Sequence, residues 1–412
     1  MSSAPVVLYS TSRFPKISET FVLDEMINLE RRGVHLELVP LIHELEDQKH
    51  PEAVAYEQRA HYCQPWDPKV VAAHLRRLVR QPVRYLSTLA TLVRGTFRSR
   101  VFLSKSLAAF AQAVWFAEIA EAHGASHAHA QWASHPTTAM WVVSQLTGIP
   151  FSFTTHGADS LVDPTFLDRK LRDAAFVTPT NHHLRDSLVE IEPSAASKVH
   201  VLRTGIDLSR FHPDRRRPRD RFTIVNVARL NRMKGHVHLF DAVVELVARG
   251  YDLDLRLVGG GELHDELLSM VDQRGLSDRV TLLGNQPREV VVDEIHAAHL
   301  HVLSSIVLPN GETEGLPIAL IESMAAGVPS IATDVAGVAE LIEDGVSGIV
   351  LRPGDTEGIV EAVARLHDDP ALAAAISRAG RERAVEEYDE EVTSRRLFGL
   401  MFGSANEKVG TS

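Results

Sequence analysis

What most constrains this chain is an alternation of short, apolar, β-rich runs with segments of helical length, repeated in two successive sets. The first set lies at residues 6–9, 36–41, 127–130, 151–155, 176–178 and 199–202. The second begins again at 223–227 and continues at 253–258, 280–283, 300–303, 330–332 and 348–351. Such runs suit parallel strands, which are covered by helices on both faces and so need no polar alternation. Two sets within 412 residues read as an α/β protein of two doubly wound, Rossmann-like domains, because a single core does not grow to that size. The expected division is a first domain over 1–213, a linker over 214–220, a second domain over 221–385, and a last helix within 386–412 that returns to the first domain before a disordered tail. The linker rests on the run from Asp214 to Asp220, which is charged, contains Pro218 and has no apolar period. Ligands of open α/β sheets bind beyond the carboxyl ends of the strands. Two such domains facing each other would turn those ends toward one central cleft, so residues that follow strands carry the functional argument.

Composition narrows the classes. Net charge is −11, and binding to phosphate backbones needs a basic footprint, so no nucleic-acid partner is expected. Cys63 is the single cysteine, which excludes an internal disulfide framework and a zinc ribbon. His127, His129 and His135 have no acidic or thiolate ligand nearby in sequence and read as strand-end histidines, so no metal is expected. A basic n-region with an apolar follower is lacking, as is any bilayer-length apolar run, and the expectation is a cytoplasmic protein. One stretch stands apart. Residues 69–117 hold no Asp or Glu, yet include Arg76, Arg77, Arg80, Arg84, Arg94, Arg98 and Arg100 among Leu75, Val79, Val83, Leu86 and Phe97. Two readings stay open: surface helices with solvated arginines, or a peripheral contact with an anionic membrane face.

The richest segment runs from Asn310 to Pro329. Pro317 suits a first helical turn, and Gly327 followed by Pro329 suits its end. Unpaired N–H groups from Gly315 through Leu316 to Ile318 would form an anion site fit for a diphosphate. Glu314 precedes that helix and Glu322 lies within it, so the two carboxylates can take hydroxyls on separate parts of one ligand. Arg229 and Lys234 follow the run at 223–227 and supply positive charge without a metal. Gly259, Gly260 and Gly261 follow another run and Gly284 a further one, where glycine lets backbone approach a flat ligand or simply turn tightly.

These residues resemble a known family. Glu314 and Glu322 are separated by seven residues and are followed by Ser323, Met324, Ala325, Ala326, Gly327, Val328 and Pro329. The pattern looks like the Glu-x7-Glu motif of the retaining, GT-B-fold glycosyltransferases of family 4. The resemblance implies that Glu314 contacts the donor sugar and Glu322 the ribose. Ala228, Arg229 and Leu230, followed by Lys234 and Gly235, resemble the family's Gly-Arg-Leu…Lys-Gly motif, which implies that Arg229 and Lys234 neutralise the donor diphosphate. Ala228 replaces the usual glycine.

On the acceptor side, Arg13, Phe14, Pro15, Lys16, Ser18, Glu19, Thr20 and Phe21 form a loop after the first run, with Ser18 as a fair N-cap. This segment, with His127 to Trp132 and Phe153 to Asp159, is similar to an exopolysaccharide branch of the family, of the colanic-acid kind. His156 follows the run at 151–155, and the resemblance sets it beside the reacting sugar. Asp159 reads equally as a helix cap. Arg203 and Thr204 stand where the family usually has His-Asn.

The implied function is retaining, metal-independent transfer of a hexose-type sugar. The co-substrate would be a nucleotide diphosphate sugar, with no cofactor, and the acceptor a glycan, a lipid-linked saccharide or a small molecule. A soluble, antibiotic-type acceptor is the main alternative; a GT-B nucleotide-sugar epimerase and an idle scaffold are remote ones.

Overall fold

In a computed structural model the chain divides into two compact units, Met1–Arg203 with Glu391–Ser412, and Thr204–Glu390. The structure describes residues 4–16, 19–45, 49–311, 316–335 and 337–403.

In the first unit β1 (Val6–Ser10), β2 (His35–Leu38), β3 (His127–Gln131), β4 (Phe151–Thr155) and β5 (Phe176–Pro179) form one parallel sheet in the order β2-β1-β3-β4-β5. Period-two alternation decides which side each residue serves. Leu8, Ala128, Ala130, Phe151 and Phe153 face a core with Phe110, Ala113, Phe116 and Ala117 of one long helix. Val7, Tyr9 and Leu36 face another with Val22, Leu23, Met26 and Leu29. The helices that supply these faces include α1 (Thr20–Arg31), α2 (Pro68–Arg80), α3 (Pro82–Thr96) and α4 (Arg100–Ala122), with the helix His135–Thr147. The run at 199–202 is not a strand of the sheet. It lies extended along β5, with the N–H groups of His200 and Leu202 donating to Val177 and Pro179 at 2.9 Å each, and only Val199 pairs as a bridge.

In the second unit β6 (Phe222–Val227), β7 (Leu253–Val258), β8 (Val280–Leu282), β9 (Leu300–Leu303), β10 (Ser330–Thr333) and β11 (Ile349–Leu351) form a parallel sheet in the order β8-β7-β6-β9-β10-β11. Each sheet therefore reverses direction once, between β1 and β3 and between β6 and β9, which is where a doubly wound fold opens its binding crevice. Helix α5 (Ile318–Ala325) starts after Pro317, and Gly327 turns the chain away with φ of 70°.

The charged stretch at 214–220 is fastened to the second unit. The Arg217 and Arg219 N–H groups donate to His296 and Ala297 at 3.1 Å. The Arg216 guanidinium donates to the Ala298 carbonyl at 2.6 Å and also to Gly327, while Arg219 pairs with Glu294 at 2.9 Å. Ile206 and Phe211 are buried with Met324 and Tyr388. The passage between units thus falls at Arg203 and Thr204, because the charges that read as linker composition are spent on carbonyls and a carboxylate. Helix α6 (Glu390–Phe402) places Leu397 and Phe398 in the core of the first unit, where Arg32 donates to Ser394 Oγ at 2.9 Å.

Candidate functional site

At the reversal of the second sheet, the turn after β6 meets the segment after β9. Ser304 Oγ donates to the Lys234 carbonyl at 3.0 Å and to that of Gly235 at 3.2 Å, and the Ile306 N–H donates to Met233 at 2.7 Å. Gly235 is required there: its φ is 60° and a Cβ would lie 2.1 Å from the Ser304 oxygen. This locks Lys234, 9 % exposed, at the carboxyl end of the sheet, with Arg229 exposed a few residues earlier. Burial, and then the Lys234 charge, lowers the His236 imidazole to about 4 and that of His301 to about 3. Both rings are therefore neutral at physiological pH, and neither has a hydrogen-bond partner for its nitrogens among the described residues. The sheet opening accordingly carries two cationic side chains beside uncharged imidazoles, a setting suited to an anion.

The glycines at 259–261 have a reason inside the fold. A Cβ on Gly259 would meet the Ala228 oxygen at 2.0 Å, one on Gly260 the Asn285 side chain at 2.6 Å, and one on Gly261 the Leu230 oxygen at 2.3 Å. Their absence lets the end of β7 cross the chain at 228–230. Gly284 has φ of 68° and accepts from the Gly259 N–H at 2.9 Å, with open space where its Cβ would be. Leu316 and Pro317 lead into α5, which carries the partly buried Glu322. Glu314 and Gly315 lie outside the described residues, as do Ser18 and the tail from Asn406.

At the reversal of the first sheet a buried polar chain links four elements. Tyr9 Oη donates to Glu25 Oε1 at 2.7 Å, and the Gln131 amide nitrogen donates to the same oxygen at 2.7 Å and to Tyr9 Oη at 2.9 Å. That orientation turns Gln131 Oε1 toward His156 Nε2, 2.9 Å away, so Nε2 carries the proton and Nδ1 keeps its lone pair. The His156 ring rests against Trp132 and Phe21, with centroids 4.5 and 4.8 Å apart. Burial lowers its imidazole to about 4, so it is neutral and serves as a positioned acceptor. Asp159 is a clamp between two strand ends: its carboxylate accepts from the Ala133 N–H at 2.5 Å and the His156 N–H at 3.0 Å. Lys170, buried and lowered to about 7 by burial, donates to the Ala133 and Ser134 carbonyls at 2.8 and 2.7 Å beneath the same loop.

His127 and His129 of β3 share Ser152 Oγ of β4, at 2.7 and 2.8 Å, and so serve the sheet's structure. Arg13 pairs with Glu44 at 3.0 Å and Lys16 with Glu19 at 2.9 Å, and Arg13, Lys16 and Glu19 border one depression with Phe14. Sequence reasoning missed Tyr9, Glu25 and Gln131. The signal was present in β3, where His127, His129 and Gln131 are the polar half of a buried alternating strand.

The HepE protein of Anabaena, solved in complex with UDP, superposes with a TM-score of 0.69 over 96 % of this chain and 98 % of its own, at 17 % identity. That likeness is one of fold, and the fold is GT-B. Sequence likeness adds to this: residues 209–383 match the model of glycosyl transferases group 1. A Salmonella typhimurium protein assigned to colanic acid biosynthesis as glycosyltransferase WcaL is 31 % identical over 50 % of this chain and 51 % of its own length. The alpha-D-kanosaminyltransferase of Streptomyces kanamyceticus is 28 % identical over 66 % of this chain and 76 % of its own. The chain spans about half the length of the first curated relatives it matches.

Proposed function

We propose that the chain is a retaining glycosyltransferase that moves a hexose-type sugar from a nucleoside diphosphate to an acceptor hydroxyl in exopolysaccharide or lipid-linked glycan assembly. The observation that carries this reading is the pair Arg229 and Lys234 at the reversal of the second sheet. Negative charge grows on the diphosphate as the glycosidic bond breaks, and fixed cations there stabilise the transition state more than the ground state. The two side chains supply that charge without a metal. Glu322 would hold the ribose, and Glu314 the sugar. His156, neutral with Nδ1 as acceptor, would take a hydrogen bond from a sugar hydroxyl and so fix the anomeric carbon. The acceptor oxygen then bonds to that carbon from the face the phosphate leaves, and its proton passes to the departing phosphate oxygen. Arg13, Phe14, Lys16, Ser18 and Glu19 would border the acceptor.

The likeness to WcaL supports a polysaccharide acceptor; that to the kanosaminyltransferase favours a small soluble one as second reading. The test is binding and hydrolysis of a panel of nucleotide sugars by the full chain and by Lys234→Ala, Arg229→Ala and Glu322→Ala. One donor should bind, with turnover lowered by about 100- to 1000-fold in the two cation variants. Near-normal turnover in both would remove the diphosphate clamp, and absence of binding by any donor would remove the enzyme reading.

A further inference from the structure

We propose that Glu37, His61 and His123 form a site for one divalent transition-metal ion of the zinc class, using none of the residues assigned to the sugar donor. Glu37 lies on β2, the edge strand of the first sheet, and is only 6 % exposed. His61 follows the helix Pro51–Arg59, and its own N–H donates to the Leu38 carbonyl at 2.8 Å, which sets it across the edge strand. His123 caps the end of α4, where its N–H donates to Ile119 at 3.0 Å. Three elements far apart in sequence thus deliver one ligand each.

The geometry converges. His61 Nε2 lies 2.7 Å from Glu37 Oε2, and His123 Nδ1 lies 2.5 Å from Oε1. The ligand atoms of all three fall within 4.8 Å of one another. His35 Nε2, 3.0 Å from Oε1, braces the same carboxylate from two residues away. Without an ion each imidazole must turn an N–H toward Glu37; an ion takes the place of those protons and binds the lone pairs instead. In a tetrahedral zinc site ligand atoms sit about 3.3 Å apart, as bonds of about 2.0–2.2 Å require. The two histidine–carboxylate contacts, made to different oxygens of Glu37, would each widen by less than about 1 Å, while separations of up to 4.8 Å among the ligand atoms would close toward the same value. Two imidazoles and one carboxylate suit zinc, cobalt or nickel over magnesium or calcium, which prefer all-oxygen shells. The fourth position is left for water, and His35 fixes the carboxylate from outside, as partners of metal ligands commonly do. An ion here would clip the edge strand to the segment at 61 and to the end of α4, and the proposal stands whatever sugar the chain uses.

The test uses the untagged full chain, stripped with chelator, titrated with zinc chloride by calorimetry and with cobalt chloride by its visible absorption. One ion per chain should bind, with a rise in thermal midpoint, and the double variant His61→Ala/His123→Ala should bind at least about 100-fold more weakly. If that variant fails to fold, His123→Asn, at a half-exposed position, should still weaken binding by about tenfold or more. No binding by the stripped chain, or equal binding by whichever variant folds, would overturn the site.

Discussion

A single carboxyl shows how closely the first-sheet network is set. Glu25 accepts from Tyr9 and Gln131 at 2.7 Å each, yet burial, the largest influence on it, pushes its carboxyl up from 4.5 to about 7. A carboxyl raised in the folded state stabilises that state while it is protonated. The contribution is complete below 4.5 and is lost as pH rises through about 7. The gap corresponds to roughly 3 kcal/mol. Glu25→Gln should therefore flatten the fall in stability between pH 4.5 and 7, as urea midpoints across that range would show; an unchanged slope would mean that the carboxyl titrates normally. His156 depends on the same network, since Gln131 holds its proton on Nε2. Gln131→Glu should keep the bond from Nε2 but place a charge on its acceptor, and so raise the His156 imidazole, seen as a shifted titration in its NMR signals; a histidine signal that still titrates as before would refute the orientation argued here.

Among the elements, the segment at 259–261 separates two reasons for glycine. The close approaches are to backbone oxygens at Gly259 and Gly261 but to the Asn285 side chain at Gly260. Gly261→Ala should cost about 2–3 kcal/mol, as overpacking against an immovable atom does, and Gly260→Ala less, since Asn285 can turn aside. Equal losses in thermal or urea melts would contradict this. The strands around these glycines were legible in the sequence because both-face burial writes continuous apolar runs; 151–155, 253–258 and 300–303 coincide with β4, β7 and β9. The run at 199–202 misled because an extended segment beside a sheet needs the same residues as a strand within it. The placement of Arg229, Lys234 and His156 beyond strand ends was legible, because the strands before them were. Tyr9, Glu25 and Gln131, and the group at Glu37, His61 and His123, were not, because they meet across elements and leave no local spacing to read.

For the whole molecule, the basic stretch resolves into α2, α3 and the start of α4. Arg76 and Arg77 are paired with Glu118 and Glu121 of α4, at 2.6 and 2.8 Å. Arg80, Arg84, Arg94 and Arg100 are exposed beside Val79 and Val83, each 81 % exposed, and Phe97 and Val101. No helix among the described residues is long and apolar enough to cross a membrane. A peripheral contact through the basic stretch is a separate proposal. On that reading, Val79→Asp with Val83→Asp should abolish flotation of the chain with liposomes containing anionic lipid, while thermal melting is unchanged; flotation that ignores both the variant and lipid charge would exclude it. The return of α6 to the first unit bears on how the molecule comes apart. Since Leu397 and Phe398 complete a core begun by Val7 and Leu36, the polypeptide passes from one body to the other twice, like a loop of string tied off where it started. Nicking the passage at residue 203 would leave two pieces still gripped through the last helix, whereas stopping synthesis short of it would leave the first body with an unplugged hole.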